Sequence, residues 1–149
     1  MPRENLHVTL KFLGNVADER IEEIAAAVGD ATAGMVDFAV RLGPPGVFPS
    51  ARRARVLWIG LEDPAGGLAA LAGSVEESLT PLGFPAEGRA FTAHLTIGRV
   101  PRPQHVSLPD AGAPGERFVV DRLTLVRSRL GRPAARYEAL ATFPFRREP

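Results

Sequence analysis

The sequence predicts an α+β fold with largely antiparallel strands. Two patterns carry that expectation: short stretches of period-two alternation bounded by Gly and Pro, and two amphipathic stripes of helical period set between them. They follow one another in the order β-α-β-β-α-β-β-β, and helices do not intervene between successive strands as a parallel α/β sheet requires. No linker divides the chain, so residues 1–149 read as one domain.

Leu6, Val8, Leu10 and Phe12 alternate with His7, Thr9 and Lys11, the pattern of a half-buried strand over 6–13. Gly14 ends it, Asp18 is placed to cap a helix, and Ile21, Ile24, Ala25 and Val28 form the apolar stripe, with Gly34 as its stop. Phe38 to Leu42 reads as a strand, and the stretch 43–50, with three prolines and two glycines, as a loop. Residues 56–61 form the next strand, and Asp63-Pro64 reads as a cap with a first-turn proline. Leu68, Leu71, Val75, Leu79 and Leu82 mark the second helix, which Pro81 distorts and Gly83 closes. His94 to Val100 is a strand, 101–115 an exposed loop, and Phe118–Leu125 and Tyr137–Phe145 the last two strands.

An apolar fraction of 45% and a charged fraction of 23% are those of a soluble globular chain. No apolar run approaches the roughly 18–20 residues that cross a bilayer, and MPRENLHV lacks the apolar segment of a signal peptide. Cysteine is absent, which excludes disulfides, thiolate nucleophiles and Cys-bound zinc, and three histidines are too few for a His-rich metal site. The expectation is a cytoplasmic protein with no membrane association, metal or cofactor.

Seventeen of the eighteen basic residues are Arg, the side chain shaped to hold phosphate by two parallel hydrogen bonds. A GC-rich genome accounts for the same excess. Residues 1–87 carry 7 basic and 12 acidic side chains (−5), and residues 88–149 carry 11 and 5 (+6). Arg127, Arg129, Arg132 and Arg136 have no acidic residue near them until Glu138, and read either as a polyanion-attracting surface or as a solvated face.

Leu6-His7-Val8-Thr9-Leu10 is echoed by Ala93-His94-Leu95-Thr96-Ile97. Each is His-x-Thr-aliphatic on an expected strand, where residues two apart share a face. With seven threonines in the chain, two of three histidines carrying Thr at +2 is roughly a one-in-a-hundred coincidence. His105 has no such partner. Taken singly, either histidine reads as a surface residue or one satisfied by the neighbouring hydroxyl. Taken together, two groups with ordinary pKa values of about 6.5 facing one phosphate divide the work of base and acid, and the Thr hydroxyls hold the non-bridging oxygens.

ENLHVTLKFLG and FTAHLTIGR resemble the two signature strands of the 2H phosphoesterase superfamily, closest to the bacterial RNA 2′,3′-cyclic phosphodiesterases, historically called 2′-5′ RNA ligases. GVFPSARRARVLWIGL, the helix ending LTPLGF, and SRLGRPAARYEAL agree in kind and order, so the resemblance covers nearly the whole chain. It implies a bilobal fold, with two antiparallel sheets around a central cleft, outer helices, and one His-x-Thr strand from each lobe. It implies a metal-independent opening of RNA terminal 2′,3′-cyclic phosphates to 2′-phosphates, with a reverse 2′-5′ joining of RNA ends, by a monomer without cofactor. Carried onto this chain, His7 matches the proton donor to the leaving 3′ oxygen and His94 the acceptor that activates water. The near-symmetric pair is itself open to either assignment. Thr9 and Thr96 match the phosphate-binding hydroxyls, and Arg99 the basic residue after the second motif. Arg99 is odd in parity relative to His94, so it needs a bulge to reach the phosphate, for which Gly98 is suited. Phe48 and Tyr137 read as stacking partners of the terminal base or as cleft wall, and Trp58 as core. Lys11 reads as added positive field beside His7 or as a solvated strand end.

Family members ordinarily begin with an apolar strand and a helix before the first His-x-Thr, whereas here the first histidine is residue 7. The expectation is a chain truncated relative to the family, from a start assigned at an internal GTG valine codon. In-frame coding sequence for an apolar strand upstream is the supporting result, and an in-frame stop directly upstream the refuting one. Two other readings stand beside the enzyme: a non-catalytic RNA- or nucleotide-end binding module or inactive fragment, and a phosphodiesterase for another small cyclic phosphodiester such as an ADP-ribose 1″,2″-cyclic phosphate.

Overall fold

A computed structural model describes residues 7–88, 91–106, 116–129 and 136–148. A 3-10 turn, Asp18–Arg20, leads into α1 (Ile21–Thr32). Then follow β1 (Phe38–Phe48), β2 (Ala54–Glu62), α2 (Gly67–Leu79) with a 3-10 turn at Thr80–Leu82, β3 (His94–Gln104), β4 (Arg117–Val120), β5 (Arg122–Arg129) and β6 (Arg136–Pro144). Antiparallel pairing arranges β3-β2-β1-β4 in one sheet and β5-β6 in another. The expected α+β class with two antiparallel sheets is the observed one. Among the described residues no helix is long and apolar enough to cross a membrane.

The helical stripes meet each other. Ile24 and Val28 of α1 pack with Leu71, Val75 and Leu79 of α2, all at most 4% exposed. Phe38 of β1, Val120 of β4, Leu123 and Leu125 of β5 and Phe143 of β6 close on this cluster, so one core joins the helices to both sheets. The approach of α2 to β1 depends on Gly67, where a Cβ would lie 2.5 Å from the Phe38 ring. Gly34 ends α1 at φ +81°, a left-handed conformation suited to glycine.

Several boundaries differ from the sequence reading. The segment 7–13 forms no strand. It has no ladder partner among the described residues, and tertiary packing sets its side chains instead. Leu10 and Leu13 pack on the core, Lys11 turns inward with its side chain 4% exposed, and Phe12 stays 77% exposed. Lys11 is thus neither a solvated end nor a neighbour of His7 by strand alternation: its Nζ donates to Glu76 Oε1 (2.6 Å) and to the carbonyl of Pro85 (2.9 Å).

The stretch 43–48 is the second half of β1, not a loop. The prolines are tolerated because β1 carries one extra residue opposite β2 between Leu42 and Pro45, and β4 pairs only with 38–41. β3 likewise runs past Val100 to Gln104, as an edge strand that accommodates proline; residues 107–115 of the expected loop lie outside the described residues. The expected strand 118–125 divides at Asp121, where the chain leaves one sheet for the other. Asp18 sits inside the 3-10 turn and caps nothing, while Asp63 caps α2 from three residues before its N-cap, its Oδ2 accepting from Ala69 N (3.1 Å).

Candidate active site

His94 opens β3, and the register of the sheet decides what it faces. Gly60 lies opposite His94 and Trp58 opposite Thr96, so these residues share one face of the sheet. Gly98 pairs with Leu57, so β3 carries one extra residue after Thr96, and Arg99 then pairs with Val56. That bulge reverses the parity of Arg99 and brings it onto the face of His94 and Thr96. From β1, Gly46 opposite Trp58 and Phe48 opposite Val56 complete the same surface.

The surface is built around Trp58. Its indole occupies the space above Gly46, where a Cβ would lie 2.1 Å from Cζ2. Phe48 packs on it at 5.1 Å between centroids, and His94 meets Phe48 edge-on at 5.5 Å and Trp58 at 6.1 Å. Trp58 is therefore half-buried on the His94 face and is not a core residue. Its Nε1 is buried without a hydrogen-bond partner among the described residues.

Two aromatic rings limit how the imidazole turns, and a backbone carbonyl fixes its tautomer. His94 Nδ1 lies 3.0 Å from the oxygen of Thr92. A carbonyl only accepts, so Nδ1 carries the hydrogen and Nε2 is left as the atom that gains or loses a proton.

His7 stands in no strand and lies against the other sheet. It is exposed and meets the Tyr137 ring of β6 edge-on at 4.8 Å. Thr9 is exposed two residues on, and Thr96 is half-buried. Each histidine thus stands against aromatic side chains, Tyr137 for His7, and Phe48 and Trp58 for His94. Tyr137 and Phe48 are the two aromatics that the sequence sets beside the terminal base, and both are substantially exposed, at 36% and 40%.

Beside Phe48 lies a depression of about 350 Å³ lined by Phe48, Pro49, Arg55, Val56 and Arg99. Neither arginine has a carboxylate partner among the described residues. The basic run near the C-terminus is different. Arg127 donates to Asp18 (2.7 Å) and Arg129 faces Glu138 (3.8 Å), so much of that charge is met within the fold; Arg132 lies outside the described residues. Sequence reasoning misses Arg55, because its place depends on a strand register that periodicity does not reveal. Among the described residues no three His, Asp or Glu side chains group as metal ligands.

The described residues thus offer an imidazole tethered at the start of β3 on the face of Thr96 and Arg99, a second imidazole against Tyr137 with Thr9 exposed two residues on, and the guanidinium groups of Arg55 and Arg99 without a carboxylate partner among the described residues. That is a set suited to a phosphodiester. A sequence profile described as the 2′-5′ RNA ligase superfamily matches residues 1–132, and the chain belongs to that family. It is 38% identical over 102 residues to the RNA 2′,3′-cyclic phosphodiesterase of Methanothermobacter thermautotrophicus, covering 68% of this chain and 54% of that one. To the protein of the same name from Thermotoga maritima it is 32% identical over 140 residues, covering 92% and 74%. The chain spans about half the length of the archaeal relatives it matches. In structure it resembles the protein TT0787 of Thermus thermophilus (TM-score 0.87, 27% identity, 99% of this chain and 82% of that one). It also resembles E. coli LigT complexed with 3′-AMP (TM-score 0.79, 27% identity, 95% and 78%).

Proposed function

We propose that this chain, acting as a monomeric cytoplasmic domain over residues 1–149 without metal or cofactor, opens terminal 2′,3′-cyclic phosphates of RNA to 2′-phosphates. The observation that carries the reading is the tethered imidazole of His94, its Nδ1 3.0 Å from the Thr92 carbonyl oxygen, on the face it shares with Thr96 and Arg99. The family's relatives named as RNA 2′,3′-cyclic phosphodiesterases support the substrate class.

Water attacks phosphorus while the bond from phosphorus to O3′ breaks. His94 Nε2 takes the proton from the water, and His7 gives a proton to O3′ as it leaves, so the product carries a 2′-phosphate and a 3′ hydroxyl. This assignment of acid and base follows the family resemblance. Thr9 and Thr96 donate hydroxyl hydrogens to the non-bridging oxygens, with Arg99 adding positive charge, where negative charge builds in the transition state. The same pair supports reverse 2′-5′ joining, with a 5′ hydroxyl replacing water. Phe48 and Tyr137 flank the two histidines as walls for the terminal nucleotide.

The test is hydrolysis of a nucleoside 2′,3′-cyclic phosphate in EDTA, with the product identified as the 2′- or 3′-phosphate. His7→Ala and His94→Ala are each expected to lose about 10²–10⁴-fold in rate. Full activity in either variant refutes the two-histidine reaction. RNA-end binding without turnover, equally tight in the double variant, decides instead for a binding module.

A further inference from the structure

We propose that the arginine-lined depression beside Phe48 receives a backbone phosphate upstream of the reacting end, so that Arg55 selects single-stranded RNA over a free nucleoside cyclic phosphate. The proposal rests on the cyclic-phosphodiesterase reading and adds a second subsite to it.

The position of Arg55 comes from an irregularity in the sheet. Ala54 pairs with Gln104 and Val56 with Arg99, so 100–103 of β3 stand against the single residue Arg55. Strand alternation does not hold across such a mismatch, and Arg55 lines the same depression as its neighbour Val56 and as Arg99. Phe48 connects this depression to the candidate catalytic histidine: it lines the one and lies 5.5 Å from the other. Its ring is 40% exposed, which leaves a face on which an unpaired base can stack.

Charge supports the same path. Residues 48–61 and 88–109 contain no Asp or Glu. Arg52, Arg53, Arg55, Arg99 and Arg102 are all exposed at this end of the sheet, and none has an ion-pair partner among the described residues. Like charges gathered without counter-charges raise a local positive potential that an anion relieves. A phosphate suits the guanidinium fork, and a strand of phosphates interleaved with stackable bases suits arginines interleaved with Phe48. The charge on β5 and β6 is largely met by Asp18, Asp121 and Glu138 and draws no strand.

The experiment measures anisotropy of a short fluorescent oligoribonucleotide ending in a 2′-phosphate, bound to the wild-type chain, Arg55→Gln, Arg55→Lys and Arg129→Gln across a salt series. The Gln variant is expected to bind about tenfold more weakly. The slope of log K against log salt is expected to shrink by about 0.7, the share of one phosphate contact on a single strand. Arg55→Lys keeps the slope, since the charge is retained, and Arg129→Gln keeps the wild-type slope. An unchanged slope in Arg55→Gln overturns the proposal, as does a wild-type chain that does not bind the oligonucleotide. A slope that changes as expected in a chain without cyclic-phosphate turnover upholds the subsite and removes the catalytic reading. Turnover with an unchanged slope does the reverse.

Discussion

Gly46→Ala isolates the packing that holds the His94 surface. The added methyl would lie 2.1, 2.2 and 2.6 Å from Cζ2, Cη2 and Cε2 of Trp58. These are atoms of a rigid ring, so the indole itself must move, away from β1 and against its neighbours Phe48 and His94. Overpacking costs about 1–3 kcal/mol, and losing the contact with Phe48 adds about 0.5–1.5 kcal/mol. Against this, alanine regains about 0.5–1 kcal/mol by restricting the unfolded chain. The net destabilisation is about 0.5–4 kcal/mol, which at roughly 2–4 °C per kcal/mol for a chain of this size lowers Tm by roughly 1–16 °C. Trp58 is the sole tryptophan, so its emission reports the displacement directly and is expected to shift to the red. Misplacing His94 by even a fraction of its contact distance is expected to lower kcat/KM for a cyclic phosphate by roughly ten- to a hundredfold. Calorimetry, fluorescence and the hydrolysis assay on one preparation check all three. A Tm and an emission maximum equal to wild type refute the packing argument.

Gly73 supplies the converse case: it is exposed in the middle of α2 and a Cβ there meets nothing within 4 Å. Gly73→Ala is expected to stabilise the chain by about 0.5–1 kcal/mol, raising Tm by roughly 1–4 °C in a thermal melt. For Lys11→Met, the hydrogen bond from Lys11, and after it that from Glu87 N, holds the Glu76 carboxyl below its ordinary value near 4.5. Stability from a carboxylate lowered in the folded state is present above that ordinary value and is lost as pH falls through the folded one. The Tm gap between wild type and Lys11→Met is therefore expected to be full at pH 7 and to narrow below about pH 4.5, which melts at stepped pH check.

Much of the fold is legible in the sequence because burial imposes a period on it. The apolar stripe of α2, from Leu68 through Leu79, maps onto the buried face residue by residue, and His94 begins β3 where alternation places a strand. The errors fall where a partner outside the local window decides. Alternation over 6–13 is sound as a pattern, but a strand exists only through its ladder. Burial of Lys11 against Glu76, 65 residues away, and exposure of Phe12 follow from long-range packing. Pro44 and Pro45 read as a loop because proline removes a donor, yet a bulge facing β2 and the short reach of β4 leave no donor required there.

The site divides in the same way. Histidine followed by threonine at +2 is a local pattern, so the sequence alone is enough to single out His7, Thr9, His94 and Thr96. The surface around them is a property of register. One extra residue after Thr96 carries Arg99 from the wrong face to the right one, and the mismatch opposite Arg55 frees that side chain from alternation. Gly46 appears in sequence as one more glycine in a Pro-rich stretch, and only the pairing of β1 with β2 shows that it makes room for Trp58. Irregular strands thus carry the parts of the site that a period cannot encode. One residue inserted into β2 between Leu57 and Trp58 would give Ile97 a partner, restore regular pairing and return Arg99 to the opposite face while leaving the His94–Thr96 spacing intact. Such an insertion separates the imidazole's share of phosphate recognition from the guanidinium's, because the first is set by local sequence and the second by the bulge.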